Sequence, residues 1–363
     1  MKFHDAVYTR AKELSLAFGP TGCEKRALDL IEKELKEVCE CSRDRIGNLI
    51  CRLPGTLPRF EKGDKPDRIA LVCGVDEAGF MITKIDDKGY LRVERTGDAD
   101  PSCFLAKKLL AGNEETLLEG IGGGEVLHLT EGGERSDAPD LKNLFVDLGC
   151  SKKEELEGKL DIGDFVSYKG EYFELPNDYI VGNALETRLN CAILVELLKL
   201  AAKLKKSERH DLYAVFAVKE KIGFSGAVTA LHRIAPDRAA VLGFEPVGFP
   251  DEKEKYRSGA EIGKGPVLAL KDGRALYYDS DFFERAKACA AEKQILDASL
   301  TLSSSNAHLA GEGVPMVSLR LPCCNPETPA VIVQKQDAEN MLSMLWALAI
   351  FADDSKKNEE MRG

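Results

Sequence analysis

Apolar residues recur at helical spacing over the first forty positions, as in Ala27, Leu28, Ile31, Leu35 and Val38, and Gly19-Pro20-Thr21-Gly22 interrupts the series. The pattern predicts two helices with a turn between them. Asn48-Leu49-Ile50-Cys51 and Ile69-Ala70-Leu71-Val72-Cys73 then read as strands. The second has no polar face, so it is expected to be buried on both sides of its sheet.

From Gly79 to about Tyr172 the texture changes to short alternating segments split by glycine: 80–85, 90–93, 125–129 and 164–168. Such spacing predicts a small β-barrel. Helical periodicity returns at Asn183 to Lys203, followed by an apolar strand Leu212 to Val218, a helix Ser225 to Ile234 and a strand Ala239 to Phe244. A helix around Asp281 to Glu292, a strand Met316 to Leu319 and a last helix Asp337 to Phe351 complete the series. Strand and helix alternate, which predicts an α/β sheet covered by helices on both faces. The expected organisation is a discontinuous α/β domain, 1–77 and 173–363, interrupted by a barrel at 78–172.

Composition narrows the chemistry. The 363 residues carry 50 Lys and Arg against 61 Asp and Glu, a formal charge of -11, which would repel a phosphate backbone. Nucleic acid is therefore not an expected partner. No apolar run approaches the ~18 residues of a spanning helix, and the N-terminal stretch is charged throughout without an apolar signal core, so no membrane partner and a cytoplasmic location are expected. The eleven cysteines are scattered, with no pair of Cys-x-x-Cys clusters to hold zinc, and most read as small buried hydrophobes. Cys39-x-Cys41 and Cys323-Cys324 stand out as spacings compatible with redox or metal chemistry.

In open α/β sheets ligands bind beyond the carboxyl ends of the strands, so the residues just after each strand are informative. They are Gly74 and Asp76, then Glu220 and Lys221, then Glu245, and finally Glu327, while Glu186 opens the helix after Gly182-Asn183. Many acids fall on one rim. Taken singly, each reads more simply as a solvated or helix-capping carboxylate.

Gly19-Pro20-Thr21-Gly22-Cys23-Glu24, Asp44-Arg45-Ile46-Gly47-Asn48-Leu49, Val75-Asp76-Glu77-Ala78-Gly79-Phe80-Met81-Ile82, Asp147-Leu148-Gly149, Gly223-Phe224-Ser225-Gly226-Ala227 and Ile262-Gly263-Lys264-Gly265-Pro266 form ordered blocks along the chain. Together they resemble the signature blocks of the tetrahedral, or glutamyl, aminopeptidases. The resemblance implies a zinc-peptidase-like three-layer αβα domain, an inserted barrel that mediates dimers, and assembly into hollow particles. It also implies two metal ions, zinc or cobalt, held by two His and three carboxylates, with a neighbouring Glu as general base.

Carried over position by position, the resemblance meets a different residue at each ligand. Where the family has His-x-Asp this chain has Gly74-Val75-Asp76; the bridging Asp corresponds to Glu186 in Ala184-Leu185-Glu186-Thr187-Arg188; the Glu-Glu pair becomes Glu220-Lys221; the strand-end Asp corresponds to Glu245 and the last His to Glu327. The family's Gly-Gly-Thr-Asp-Ala matches Ser303-Ser304-Ser305-Asn306-Ala307. Glu220, the base, is kept but is expected to be idle. An ammonium at position 221 and a dication would compete for one place, and loss of both imidazoles removes the donors that favour zinc.

Glu186, Glu220, Glu245 and Glu327 are expected to converge on one cleft, with Gly74, Asp76, Arg188 and Asn306 beside them and Lys221 as the nearest cation. Crowded carboxylates cannot all stay ionised unpaired. Either Lys221 replaces the ions in a salt-bridge network, or Glu186, Glu245 and Glu327 hold a hard cation such as calcium or magnesium. The first alternative gives a protein without a cofactor that binds or assembles with itself, with an active paralogue or with a peptide-like ligand. The second gives an aminopeptidase with an altered metal site. His308 and His128 have no matched partner, a nucleophilic Cys323, Cys324 or Cys73 lacks an activating His, and Gly122-Gly123-Gly124 reads as a turn between strands.

Overall fold

The computed structural model describes residues 3–57, 67–124, 139–248, 259–272, 275–276, 281–289, 293–297, 309 and 313–350. The first apolar series forms α1 (Phe3–Leu16) and α2 (Lys25–Leu35), whose Ala27, Leu28, Ile31 and Leu35 are buried as their spacing requires. Then come β1 (Glu40–Arg43), β2 (Leu49–Leu53) and β3 (Arg68–Gly74), the last buried at every position after Arg68. The all-apolar run of β3 thus occupies a central strand.

Six strands close into a barrel: β4 (Gly79–Ile85), β5 (Leu91–Thr96), β6 (Lys108–Gly112), β7 (Leu117–Gly123), β8 (Phe145–Asp147) and β9 (Phe165–Tyr168), in the order β4-β5-β8-β7-β6-β9. Its core is separate from the main one and centres on Phe80, whose ring meets Phe104 and Tyr168 edge-on at 5.1 and 6.0 Å. Gly122 and Gly123 lie inside β7 rather than in a turn, correcting the sequence reading. A Cβ on Gly122 would come within 2.0 Å of the Phe104 carbonyl oxygen, and one on Gly123 within 2.3 Å of the Phe145 ring. Close packing of the barrel wall, not turn formation, requires these glycines. The segment 125–129 and its His128 lie outside the described residues.

The chain returns through β10 (Tyr172–Leu175), β11 (Tyr179–Gly182) and α3 (Leu185–Ala201), then β12 (Asp211–Ala217), α4 (Ser225–Ile234) and β13 (Arg238–Pro246). After these come β14 (Val267–Asp272), β15 (Ala275–Leu276), α5 (Asp281–Ala288), β16 (Gln294–Asp297), β17 (Met316–Cys323), β18 (Val331–Gln334) and α6 (Lys335–Ala349). The main sheet runs β1-β2-β12-β3-β13-β17-β14-β15, with β16 on β14. β12, β3, β13 and β17 are mutually parallel, so their carboxyl ends share one rim. β10, β11 and β18 form a small separate sheet that the sequence pattern does not announce, and neither are β1 and β14 to β16 announced. The architecture is a three-layer αβα domain with a closed barrel, as expected. No helix among the described residues is long and apolar enough to cross a membrane.

Candidate functional site

The parallel rim presents its acids through strained connections. Ala184, Lys219, Phe224, Asn325 and Glu327 all have left-handed backbone angles, φ 47 to 63° being the range of such non-glycine residues in the chain. Non-glycine side chains adopt that region at a cost, so tertiary contacts must fix these turns. One such contact is visible. The Asp76 carboxylate, just beyond β3, accepts the backbone N–H groups of Glu220 at 2.8 Å and Lys221 at 3.1 Å and the Thr21 hydroxyl at 2.6 Å. Asp76 therefore fixes the single 3-10 turn after β12 that aims Glu220 and Lys221.

Lys221 lies at the centre. Its Nζ is 3.4 Å from Glu186 Oε1, 3.4 Å from Glu327 Oε1 and 4.0 Å from Glu220 Oε2, and 4.7 Å from the centroid of the Phe244 ring. Only 2% of the Lys221 side chain is exposed, against 1% for Glu186, 6% for Glu220 and 20% for Glu327. The site is closed around the ammonium and opens on the Glu327 side.

Three carboxylates and one ammonium do not balance. Burial pushes the Glu220 carboxyl up to about 8, Lys221 opposing and Asp76, Glu186 and Glu327 reinforcing the shift. Burial also raises Glu327 above the usual carboxylate range, again against Lys221. For Lys221 burial favours the neutral amine, but the surrounding Glu220, Glu186 and Glu327 outweigh it and hold the amine charged. The surroundings of Glu220 thus favour its protonated form. Its Oε2, like Glu186 Oε2, has no hydrogen-bond partner among the described residues.

Glu245 has its own cation. Arg320 Nη1 donates to its Oε2 at 2.9 Å, and both side chains are 2% exposed. The sequence reading had named Lys221 alone as a nearby cation, yet Arg320 carried a signal: a lone guanidinium inside the buried strand Met316–Cys323 demands an acid. Arg320 pairs with Gly243 in the β13–β17 register, which puts Glu245 two residues on and on the same face.

Gly74 closes the back of the site. A Cβ there would lie 2.2 Å from Glu220 Oε2 and 2.7 Å from its Cβ and Cδ. Arg188 faces elsewhere: wholly buried, it donates to the Gly19 carbonyl oxygen at 3.3 Å and interacts electrostatically with buried Glu77, which also accepts from Asn183 and from the Gly19 N–H. The Gly19-Pro20-Thr21 turn is thereby pinned to the rim. Asn306 and His308 lie outside the described residues. Cys73 and Cys323 are fully buried, and burial raises both thiols well above the ordinary value, which leaves no thiolate nucleophile at either.

Residues 47–344 match the family of M42 glutamyl aminopeptidases, most of the chain. The chain belongs to that family. This M42 member is 27% identical to FrvX of Escherichia coli (strain K12) over 343 residues, covering 92% of each chain. Among solved structures it resembles the aminopeptidase APDkam598 from the archaeon Desulfurococcus kamchatkensis, with a TM-score of 0.85 at 24% identity over 100% of this chain and 99% of the other. It also resembles the TET1 peptidase of Pyrococcus horikoshii, with a TM-score of 0.81 at 23% identity over 95% of this chain and 99% of the other. These two likenesses extend the fold assignment along the whole M42 chain.

Proposed function

We propose that this chain is a non-hydrolytic member of the M42 family, in which the Lys221 ammonium takes the place of a catalytic metal pair. The carrying observation is the position of Lys221 Nζ, within 3.4 to 4.0 Å of Glu186, Glu220 and Glu327. The donor set is a poor match to a zinc or cobalt pair: it offers no imidazole from the described residues and already holds a cation. At 4 Å and an intermediate dielectric, each unit of charge on an added ion costs about 4 kcal/mol against the ammonium. An imidazole at position 74 would have to displace Glu220, since even a Cβ collides with it. The hard-cation alternative needs Glu186, Glu245 and Glu327 to share one ion. Against it stand the engagement of Glu245 by Arg320 and the place of Lys221 between the other two.

The role that fits is binding without cleavage, in a homo-oligomer. TET1 of Pyrococcus horikoshii assembles into a tetrahedron or a large octahedral shell. The six-stranded barrel is complete here, and we assign to it at least a homodimer. The decisive experiment pairs metal analysis of the purified chain with hydrolysis of amino-acid nitroanilides in added zinc, cobalt or manganese. No pair of zinc, cobalt or manganese ions and no turnover are expected; two such ions per chain with turnover would overturn the proposal. In an inert chain, restoring the family residues together at Gly74, Glu186, Lys221, Glu245 and Glu327 should recover ion binding.

A further inference from the structure

A second cluster of chemistry lies at the β1–β2 edge of the main sheet. The antiparallel register sets Cys41 opposite Cys51, and Cys39 sits one residue before β1 on the chain leaving α2. Their sulfurs converge: Cys41 Sγ is 3.2 Å from Cys51 Sγ and 3.9 Å from Cys39 Sγ, and all three lie within 4.8 Å of one another. The sequence showed Cys39-x-Cys41 alone, because the third sulfur arrives only through strand pairing.

We propose that Cys39, Cys41 and Cys51 form a three-thiolate site for a single soft monovalent ion, copper(I) being the matching chemistry. The three sulfurs lie close enough to share one ion, with the Cys41–Cys51 pair, at 3.2 Å, having to open slightly around it. Three thiolates about 2.3 Å from a common metal, in a trigonal plane, stand about 4.0 Å apart. Among the described residues no fourth His, Cys, Asp or Glu joins the group, so the tetrahedral set that zinc prefers is incomplete. Thiolates select soft ions such as copper(I). Access is provided, since Cys51 is buried while Cys39 and Cys41 are half-exposed.

The cysteines bind such an ion as thiolates, so uptake displaces the protons that the free thiols carry. No electron transfer is involved, and no residue of the Lys221 cluster takes part.

The test uses the full chain, fully reduced under anaerobic conditions and titrated with copper(I) delivered as its bicinchoninate complex. One equivalent per chain should be withdrawn from the chelator, with thiolate-to-copper absorption in the near ultraviolet. Cys39→Ser and Cys41→Ser, both at half-exposed positions, should each abolish that equivalent while leaving the melting temperature of the ion-free chain within a few degrees. Cys73→Ser, remote from the cluster, should retain it. Failure of the wild type to compete with bicinchoninate, retention of the equivalent in both Cys39→Ser and Cys41→Ser, or displacement of the bound copper by equimolar zinc would each overturn the assignment.

Discussion

The Glu220 carboxylate occupies the space in front of Gly74 so fully that a Cβ on that glycine would lie 2.2 Å from Oε2. The residue that lacks a side chain and the residue that fills the gap are therefore one feature of the fold. Gly74→Ala should lower stability by about 1–3 kcal/mol, the usual cost of overpacking a filled core. Removing the colliding carboxyl first should relieve much of that cost, so Gly74→Ala in a Glu220→Ala background is expected to do less harm than in the wild type. Urea denaturation of the four chains checks this, and strictly additive losses would show that the two positions do not compete.

Lys221→Met keeps the length of the side chain and removes its charge. Glu186, Glu220 and Glu327 then share a buried site without their common cation, a change that costs about 3–5 kcal/mol when a buried partner is deleted. The loss should be greatest near pH 8 and smaller at pH 5, where protonation of Glu220 and Glu327, both raised by burial, supplies part of the missing neutralisation. Denaturation midpoints across that range measure it. A variant as stable as the wild type at pH 8 would place the ammonium outside the network.

The wild type itself carries a pH signature. Glu220 titrates near 8 when folded, above its ordinary value near 4.5, so between those limits the folded chain holds a proton that the unfolded chain has released. The stability contribution is complete below about pH 4.5 and is lost as pH rises through about 8, with a slope of at most about 1.4 kcal/mol per pH unit. Glu327, also raised, acts in the same direction. Lys221, raised in the folded state, loses its contribution only above the ordinary lysine range, outside this window. Glu220→Gln mimics the protonated acid and should flatten the profile between pH 5 and 8 by about one proton. An unchanged slope in that variant would assign the effect to another group.

The sheet was legible because β3 and the middles of β12 and β13 are apolar, and the barrel because the segments of β4, β5 and β9 alternate, whereas β6, β7 and β8 were not read from the sequence. The glycine pair at 122 and 123 was not: a turn and a crowded strand share one signature, and only Phe104 and Phe145 distinguish them. At the site, strand-end position gathered Gly74, Asp76, Glu220, Lys221, Glu245 and Glu327, and the start of the helix after Gly182-Asn183 added Glu186. It did not divide the acids between two cations, because the partner of Glu245 is set by the register of β17 against β13. Nor did it show what Asp76 holds, since those atoms are backbone N–H groups of the 220–221 turn, which no side-chain motif records. Cys51 joined Cys39 and Cys41 for the same reason of register.

Arg320 and Glu245 offer the sharpest separation between a structural pair and a vestige of a metal centre. Both side chains are 2% exposed and 2.9 Å apart, so removing either one takes a close, buried opposite charge from the other. Arg320→Met or Glu245→Met should each cost about 3–5 kcal/mol, whereas the double substitution, which removes both charges and fills the space, should recover most of the stability. A coupling energy of about 0.5–3 kcal/mol or more from the double-mutant cycle would establish the pair as a unit. If Glu245 instead served an ion shared with Glu186 and Glu327, Arg320→Met would free a ligand and raise the uptake of a divalent cation. Calorimetric titration of that variant with magnesium and calcium, which thiolates do not hold, is expected to show no binding heat, because Lys221 still neutralises the other two carboxylates.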